Sequence, residues 1–390
     1  MTKEGETPAD ASGTSPVRRR LLARVLLFLL VVLPSALAVL AGGAFLYGKW
    51  RFEAPGPAAS PTVVWLAPGL GLNAISERLA DAHVLDEPLV FRVAVRLNRS
   101  AGRLKAGEYE IPAHASMAEI VRILREGKSI VHRLTVPEGL TSWQVMEIVK
   151  GDPVLTGDMP LVPDEGSLLP ETYHFTRGTT RAQIVQRMQK SASALINELW
   201  PHRAENLPYK TQKEAIILAS IVEKETGLAA ERPRVAAVFV NRLRKSMRLQ
   251  SDPTIIYGVT GGKGSLGRPI RRSELDRVTP YNTYQVDGLP PTPISNPGRA
   301  SIEAVLNPPE TKDLYFVADG TGGHAFSTSL DEHQRNVSHW RRVEKGMAGR
   351  SAAPEPAPEP ERKAPGKAEA PPAATAPVLP MRAPAKRAGG

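Results

Sequence analysis

One long apolar segment near the N-terminus constrains the fold of this chain more than any other feature of its sequence. Val25 to Tyr47 is a run of 23 predominantly apolar residues without a charged side chain. A helix rises 1.5 Å per residue, so this run is long enough to cross a hydrocarbon core of about 30 Å. Four arginines lie between residues 18 and 24, and only Lys49 and Arg51 closely follow the run. The sequence predicts a transmembrane helix at residues 25–47, with residues 1–24 in the cytoplasm.

A cleaved signal peptide is the alternative interpretation of this segment. Ala36-Leu37-Ala38 resembles a small-residue cleavage site that follows a basic start. The apolar character continues well beyond that site, which favours a retained helix. In either case we expect the part of the chain after Trp50 to lie outside the inner (plasma) membrane, in the periplasm.

The composition excludes several kinds of chemistry. None of the 390 residues is cysteine, which excludes disulfides, thiolate metal ligands and a cysteine nucleophile. The formal net charge is +10. A basic surface suits nucleic acid, anionic lipid or an anionic cell-wall polymer, and no nucleic-acid motif accompanies it. We therefore predict no nucleic-acid partner.

The region after the apolar segment predicts an α+β protein. Pro, Ala and Gly predict a spacer within residues 48–61. The order strand, turn, helix then occurs twice, in residues 63–79 and 132–149, so we expect small α+β units. From residue 346 to residue 390 the chain is mostly Ala, Pro, Lys, Glu and Arg, which predicts a disordered tail.

Helices are predicted to frame the second part of the chain. Apolar residues recur with helical period in residues 180–200, 213–227 and 233–243. Residues 249–299 are instead rich in Gly, Pro, Ser and Asn, and this stretch is too long for an ordinary connection. Its aromatic and polar clusters indicate a loop that lines a cleft.

The helix at residues 213–227 carries two carboxylates near its end. At 3.6 residues per turn, Glu223 shares a face with Ile216 and Ser220, whereas Glu225 points roughly 160° away. We expect Glu223 to face a partly buried cleft and Glu225 to be solvated. Loss of hydration favours a protonated carboxyl near neutral pH, as a general acid requires. The helix by itself leaves open that Glu223 is an exposed residue paired with Lys or Arg.

Six motifs follow one another in a specific order. They are EGSLLPETYHF (165–175), LASIVEKETG (218–227), VNRLRKSMRLQSDPTIIYG (240–258), PYNTY (280–284), GLPPTPISNPG (288–298) and LYFVADGTGGHAFSTSLDEH (314–333). Behind a single N-terminal anchor, they resemble the MltG/YceG-like family of membrane-anchored endolytic murein transglycosylases over roughly residues 62–345. Ser167 and Glu171 depart from the family pattern. These departures put in doubt a packing role, or a role at the rim of the cleft, for the two positions, but they do not put the reaction in doubt.

The resemblance implies a small LysM-like module, at residues 62–130, followed by a mixed α+β catalytic domain at residues 131–345. It implies that Glu223, the first Glu of the VEKE segment, is the catalytic acid/base. The implied reaction breaks the β-1,4 bond between N-acetylmuramic acid and N-acetylglucosamine in peptidoglycan glycan strands. The muramyl C6 hydroxyl attacks internally and leaves a 1,6-anhydro end, so one carboxyl is enough. The resemblance also implies that the protein acts on nascent glycan strands alongside peptidoglycan synthases.

Residues of the long loop are candidates for substrate binding. One set of candidates could form hydrogen bonds to the N-acetyl groups of the substrate or could only brace the loop. These residues are Gln250, Asn282 and Asn296. Three tyrosines could stack on sugar faces or could only pack within the loop. They are Tyr257, Tyr281 and Tyr284. Asp252 is either a second carboxylate, which would make the protein a hydrolase, or a turn or cap residue before Pro253. A membrane-tethered glycan-binding scaffold is the remaining alternative.

Two other patterns do not reach the specificity of a binding motif. His324, Glu332 and His333 lack HExxH spacing and an evident third ligand, so we predict no metal site and no cofactor. His324 is expected to be a structural or cleft-wall residue. The glycine-rich run at residues 261–264 lacks the full phosphate-loop pattern.

Overall fold

The computed structural model describes residues 16–351 of the chain. Residues 1–15, which belong to the predicted cytoplasmic segment, lie outside the described residues. The same holds for residues 352–390, which form most of the predicted disordered tail.

The described structure begins with one long helix, α1 (Pro16–Glu53). Its apolar part, Ala23–Glu53, contains an 18-residue window of mean hydropathy 2.7 that has no buried residue. By length and composition, it is the one helix of the described residues that could cross a membrane. The predicted apolar helix is therefore confirmed.

The segment predicted to be a spacer is ordered. α1 continues through Glu53. Beyond it, the Gly56 N–H donates to the His114 carbonyl at 3.1 Å, and the His114 N–H donates to the Ala58 carbonyl at 2.8 Å. Ala58 is buried. The linker at residues 48–61 stays a prediction, but these contacts hold residues 56–58 on the unit that follows.

The first unit after α1 is a small α+β arrangement. Strands β1 and β2 pair antiparallel, with Val64 opposite Tyr109. Three short helices cover the pair and enclose an apolar core. The elements are β1 (Thr62–Leu66), α2 (Leu72–Asp81), α3 (Pro88–Leu97), β2 (Gly107–Ile111) and α4 (Met117–Glu126). The assignment of this unit as LysM-like remains a prediction.

A second core forms around another antiparallel strand pair. Thr141 and Thr180 each form the capping box expected from the sequence, with Gln144 and Gln183 respectively. These caps fix where two helices begin. The elements are β3 (Val131–Thr135), α5 (Ser142–Gly151), β4 (Thr172–Thr176) and α6 (Arg181–Leu199).

The third core is mainly helical. The long loop predicted for residues 249–299 contains two short helices, because Pro253 favours a helix start and Glu274 caps another. The final strand pair is half-buried. The elements are α7 (Gln212–Glu225), α8 (Arg232–Arg244), α9 (Asp252–Thr260), α10 (Arg272–Asp276), α11 (Arg299–Leu306), β5 (Tyr315–Ala318), β6 (His324–Ser327) and α12 (Leu330–Ser351). The mixed α+β class is confirmed, whereas the domain boundary at residue 130 remains a prediction.

Candidate active site

Helix α7 is the central element of the third core. Thr211 caps its start through a capping box with Glu214. From Ile217 to Glu223 every residue is buried, and α8, α9 and α11 all pack against the helix. Because these helices cover much of α7, both carboxylates of the VEKE segment lie among other side chains, whereas Lys224 between them is exposed.

Glu223 is bound on both of its carboxylate oxygens. Oε2 accepts the backbone N–H of Gly298 at 2.9 Å, immediately before α11 begins. Oε1 accepts a hydrogen bond from Nη2 of Arg232 at 3.2 Å, and the same Nη2 donates a hydrogen bond to Oε2 of Glu138 at 3.0 Å. The Glu223 side chain is only 3% exposed. These contacts join α7, α8, the loop before α5 and the start of α11.

Glu225 was expected to be solvated, and the structure contradicts that expectation. The residue is half-buried, and its Oε1 accepts a hydrogen bond from the Ser251 hydroxyl. Burial raises the pKa of Glu225 to about 7. The Ser251 hydrogen bond opposes this rise, whereas the negative charge of Asp252 adds to it. Glu225 is therefore a carboxyl at the end of α7 whose pKa lies near neutral pH.

Polar groups that reach solvent surround Glu225. Asp252 is exposed and accepts a hydrogen bond from the Tyr284 hydroxyl at 2.7 Å. Gln250 is also exposed, and its side-chain oxygen accepts Nη1 of Arg242 at 3.2 Å. The arrangement brings Gln250, Asp252 and Tyr284, all predicted from the sequence, into one polar site beside Glu225.

His324 borders the same site from strand β6. Its Nδ1 lies 2.7 Å from Oε2 of Glu231, and its backbone N–H donates to the other oxygen of that carboxylate at 2.9 Å. The imidazole also lowers the pKa of Glu225, although less than burial raises it. The sequence singled out His324 as a wall residue, but it offered no signal for the pairing with Glu231.

Another carboxyl, Glu165, forms a separate network that the sequence does not predict. It accepts the Ser142 N–H at 2.7 Å and the Tyr257 hydroxyl at 3.2 Å. Burial raises the pKa of Glu165 above its ordinary value. Tyr281 packs beside Tyr257, with ring centroids 5.0 Å apart. The structure therefore groups these two tyrosines with Glu165.

Two of the predicted substrate ligands are buried and bonded within the protein. Asn282 is 1% exposed and donates to the carbonyl groups of Glu274, Leu275 and Arg277. Asn296 is fully buried. Its partners are the Leu168 N–H, the Leu140 carbonyl, the Ser142 hydroxyl and Glu165. Burial and these internal hydrogen bonds favour loop bracing, the alternative that the sequence left open for both residues, and their role in substrate binding stays a prediction.

The fold and the site define an α+β protein with one N-terminal apolar helix and a half-buried carboxyl group suited to acid–base chemistry. A family model described as the YceG-like family matches residues 64–339, and the chain belongs to this family.

Several relatives align with most of this chain. The chain is 28% identical over 328 residues to the endolytic murein transglycosylase of Bacillus subtilis, covering 75% of this chain and 89% of that protein. It is 28% identical over 327 residues to the endolytic murein transglycosylase of Streptococcus pneumoniae strain D39, covering 70% of this chain but only 57% of the pneumococcal protein. The crystal structure of a YceG-like protein from Listeria monocytogenes matches with a TM-score of 0.44 and 31% identity, covering 71% of this chain and 98% of that one.

Proposed function

We propose that this protein is an endolytic peptidoglycan lytic transglycosylase in which Glu225 is the acid/base. The observation that carries the proposal is the half-buried residue Glu225, whose carboxyl is held beside Ser251 and Asp252 and whose pKa of about 7 leaves it partly protonated at neutral pH. The family and the names of its relatives support peptidoglycan as the substrate.

The proposed reaction needs one carboxyl group. Protonated Glu225 donates its proton to the glycosidic oxygen while the bond from that oxygen to the muramyl C1 breaks. The muramyl C6 hydroxyl then attacks C1, and the carboxylate of Glu225 takes the hydroxyl proton. The products are a 1,6-anhydro-N-acetylmuramic acid end and a free 4-hydroxyl on N-acetylglucosamine. No water is consumed, because the nucleophile is held on the substrate itself.

The sequence placed the acid/base role on Glu223, and the contacts of the two residues support Glu225 instead. Both Glu223 oxygens are occupied by Gly298 and Arg232, and its side chain is almost inaccessible. An acid must bring its proton within hydrogen-bond reach of the substrate. Glu225 is half-buried and borders the exposed groups of Gln250 and Asp252.

The proposed location follows from α1 and the charges beside it. Lys and Arg are concentrated before the apolar span, which supports a cytoplasmic N-terminus and a periplasmic catalytic region. A single-pass protein with this topology would act on new glycan strands where membrane-bound peptidoglycan synthases extend them. Cleavage there would release or terminate strands.

The test is digestion of purified sacculi by the full-length protein, with product ends identified by mass spectrometry. We expect 1,6-anhydro ends. Glu225→Gln should abolish cleavage, whereas Glu223→Gln should retain measurable activity, because its amide oxygen can still accept the Gly298 N–H. Full activity in Glu225→Gln, or loss of activity in Glu223→Gln with the fold intact, would return the role to Glu223.

Hydrolysis is a second candidate because a second carboxylate, Asp252, lies close enough to raise the pKa of Glu225. A glycoside hydrolase would use this pair and consume water. Digestion in ¹⁸O-labelled water distinguishes the two reactions. Labelled reducing ends indicate hydrolysis, unlabelled anhydro ends indicate the lytic reaction, and no released product would indicate a glycan-binding scaffold.

A further inference from the structure

Helix α3 exposes an apolar stripe beside the end of α1. Leu89, Val93 and Leu97 are spaced by four residues and so share one face of the helix. They are 66%, 47% and 68% exposed, respectively. On the opposite face, Phe91 and Val95 have no exposure at all. The helix therefore packs into its own unit with one face and leaves an apolar stripe exposed on the other.

The stripe and the end of α1 enclose an open groove of about 540 Å³. The α1 wall of this groove extends from Ala44 to Glu53. Glu87, just before α3, holds the two helices together because it accepts the Tyr47 hydroxyl at 3.2 Å and Nε of Arg51 at 2.7 Å. The groove is thus continuous with the last turns of the apolar span.

The length of the apolar span places this groove at the surface of a membrane. The uncharged run of residues 25–47 extends about 34 Å at 1.5 Å per residue, slightly more than the hydrocarbon thickness. Its end therefore emerges near residue 47. Tyr47 and Trp50 are both exposed there, and aromatic residues of this kind are typical of the level of the lipid headgroups.

We propose that α3 lies in the membrane interface, with Leu89, Val93 and Leu97 inserted among the acyl chains of the phospholipids beside α1. This inference rests on the membrane topology proposed above. Exposed Lys49 lines the groove, and exposed Arg96 directly precedes Leu97 on α3; both carry charges suited to lipid phosphates. An amphipathic helix with an apolar stripe and basic neighbours has the chemistry of an interfacial helix.

The docking has a consequence for the whole periplasmic region. α1 continues without a break into the ordered segment that holds Ala58. With α3 seated in the interface, the first unit is attached to the membrane at two places. Packing, rather than a flexible spacer, then sets how the unit is oriented towards the bilayer.

The absence of cysteine from the sequence allows a direct test with single labels. Full-length Val93→Cys and Leu97→Cys carry an environment-sensitive fluorophore in nanodiscs of phosphatidylcholine and phosphatidylglycerol, with one protein copy per disc. Doxyl lipids quench a label in the acyl region, and aqueous iodide quenches one in water. Leu161→Cys is the matched control, because Leu161 is 92% exposed in the loop between α5 and β4.

We expect doxyl lipid to quench the two α3 labels at least about twofold more strongly than the Leu161 label, and iodide to show the reverse order. Leu37→Cys, in the middle of α1, tests the topology separately. If the Leu37 label is quenched by doxyl lipid while the α3 labels respond like Leu161, the interfacial docking is refuted. Protection of the α3 labels only in discs that hold two copies would assign the stripe to a second copy and also refute it. Absence of quenching at Leu37 would refute the topology itself.

Discussion

Replacing Glu225 with glutamine should stabilise the folded protein above neutral pH while abolishing cleavage. Burial raises the pKa of this carboxyl from 4.5 to about 7. Below about pH 4.5 the carboxyl is protonated in both the folded and the unfolded chain. As the pH rises from 4.5 to about 7, the unfolded chain releases the proton first, so the free energy of unfolding of the wild type falls. Above about 7 the loss is complete.

The size of this effect follows from the difference in pKa. The difference between 4.5 and about 7 is about 2.5, and at 1.36 kcal/mol per pKa unit it corresponds to about 3 kcal/mol. Partial exposure of the side chain reduces this value, so we expect about 2 kcal/mol. Glutamine has no charge to desolvate, and its oxygen can still accept the Ser251 hydrogen bond.

Urea unfolding of the full-length protein in detergent micelles measures the effect at about pH 4.5 and about pH 8.5, on either side of the titration. The free energy of unfolding of Glu225→Gln minus that of the wild type should be near zero at the acidic pH and about 2 kcal/mol at the alkaline pH. Glu147→Gln, at an exposed carboxyl on α5, is the matched control and should show no such change. An equal difference at both pH values would refute the claim that Glu225 is desolvated.

Three other measurements test the site. The kcat/KM for cleavage should fall as the pH rises through about 7, because Glu225 must begin protonated; a rate that stays constant up to about pH 9 would contradict its role as acid. Asp252→Asn should lower cleavage by less than about tenfold and preserve anhydro ends if one carboxyl is enough, whereas a loss above about a hundredfold would favour the hydrolase. Asn296→Ala should lower the free energy of unfolding by about 2 to 4 kcal/mol, because it removes buried hydrogen bonds and leaves the buried Leu168 N–H without its partner; a loss below about 0.5 kcal/mol in urea unfolding would show that the network is dispensable.

The sequence could predict the helix starts because their signals are local. Thr141 and Thr180 form capping boxes with residues three positions later, and both do so in the structure. The sequence could not predict that the segment around Ala58 is held in place. Its hydrogen bonds go to His114, far along the chain, and composition carries no information about such a contact.

In the candidate site, too, some features could be predicted from the sequence and others could not. The sequence identified Gln250, Asp252 and Tyr284, which do lie together. It also proposed Asn282 and Asn296, which are buried and bonded to backbone carbonyl groups. An asparagine in a loop can bind a sugar or satisfy buried carbonyl groups, and only its tertiary neighbours distinguish these roles.

The sequence by itself determined the apolar N-terminal helix, the order of the elements and the segment that carries two carboxylates, because these depend on composition and local spacing. Helical periodicity also determined that Glu223 and Glu225 point in different directions. Only the tertiary structure decided which groups each of the two side chains contacts. α8, α9 and α11 surround α7, so Glu223 meets Arg232 and Gly298, whereas Glu225 meets Ser251 and the edge of a polar site. The pKa of a carboxyl depends on its hydration and neighbouring charges, which in a folded chain come from residues distant in sequence.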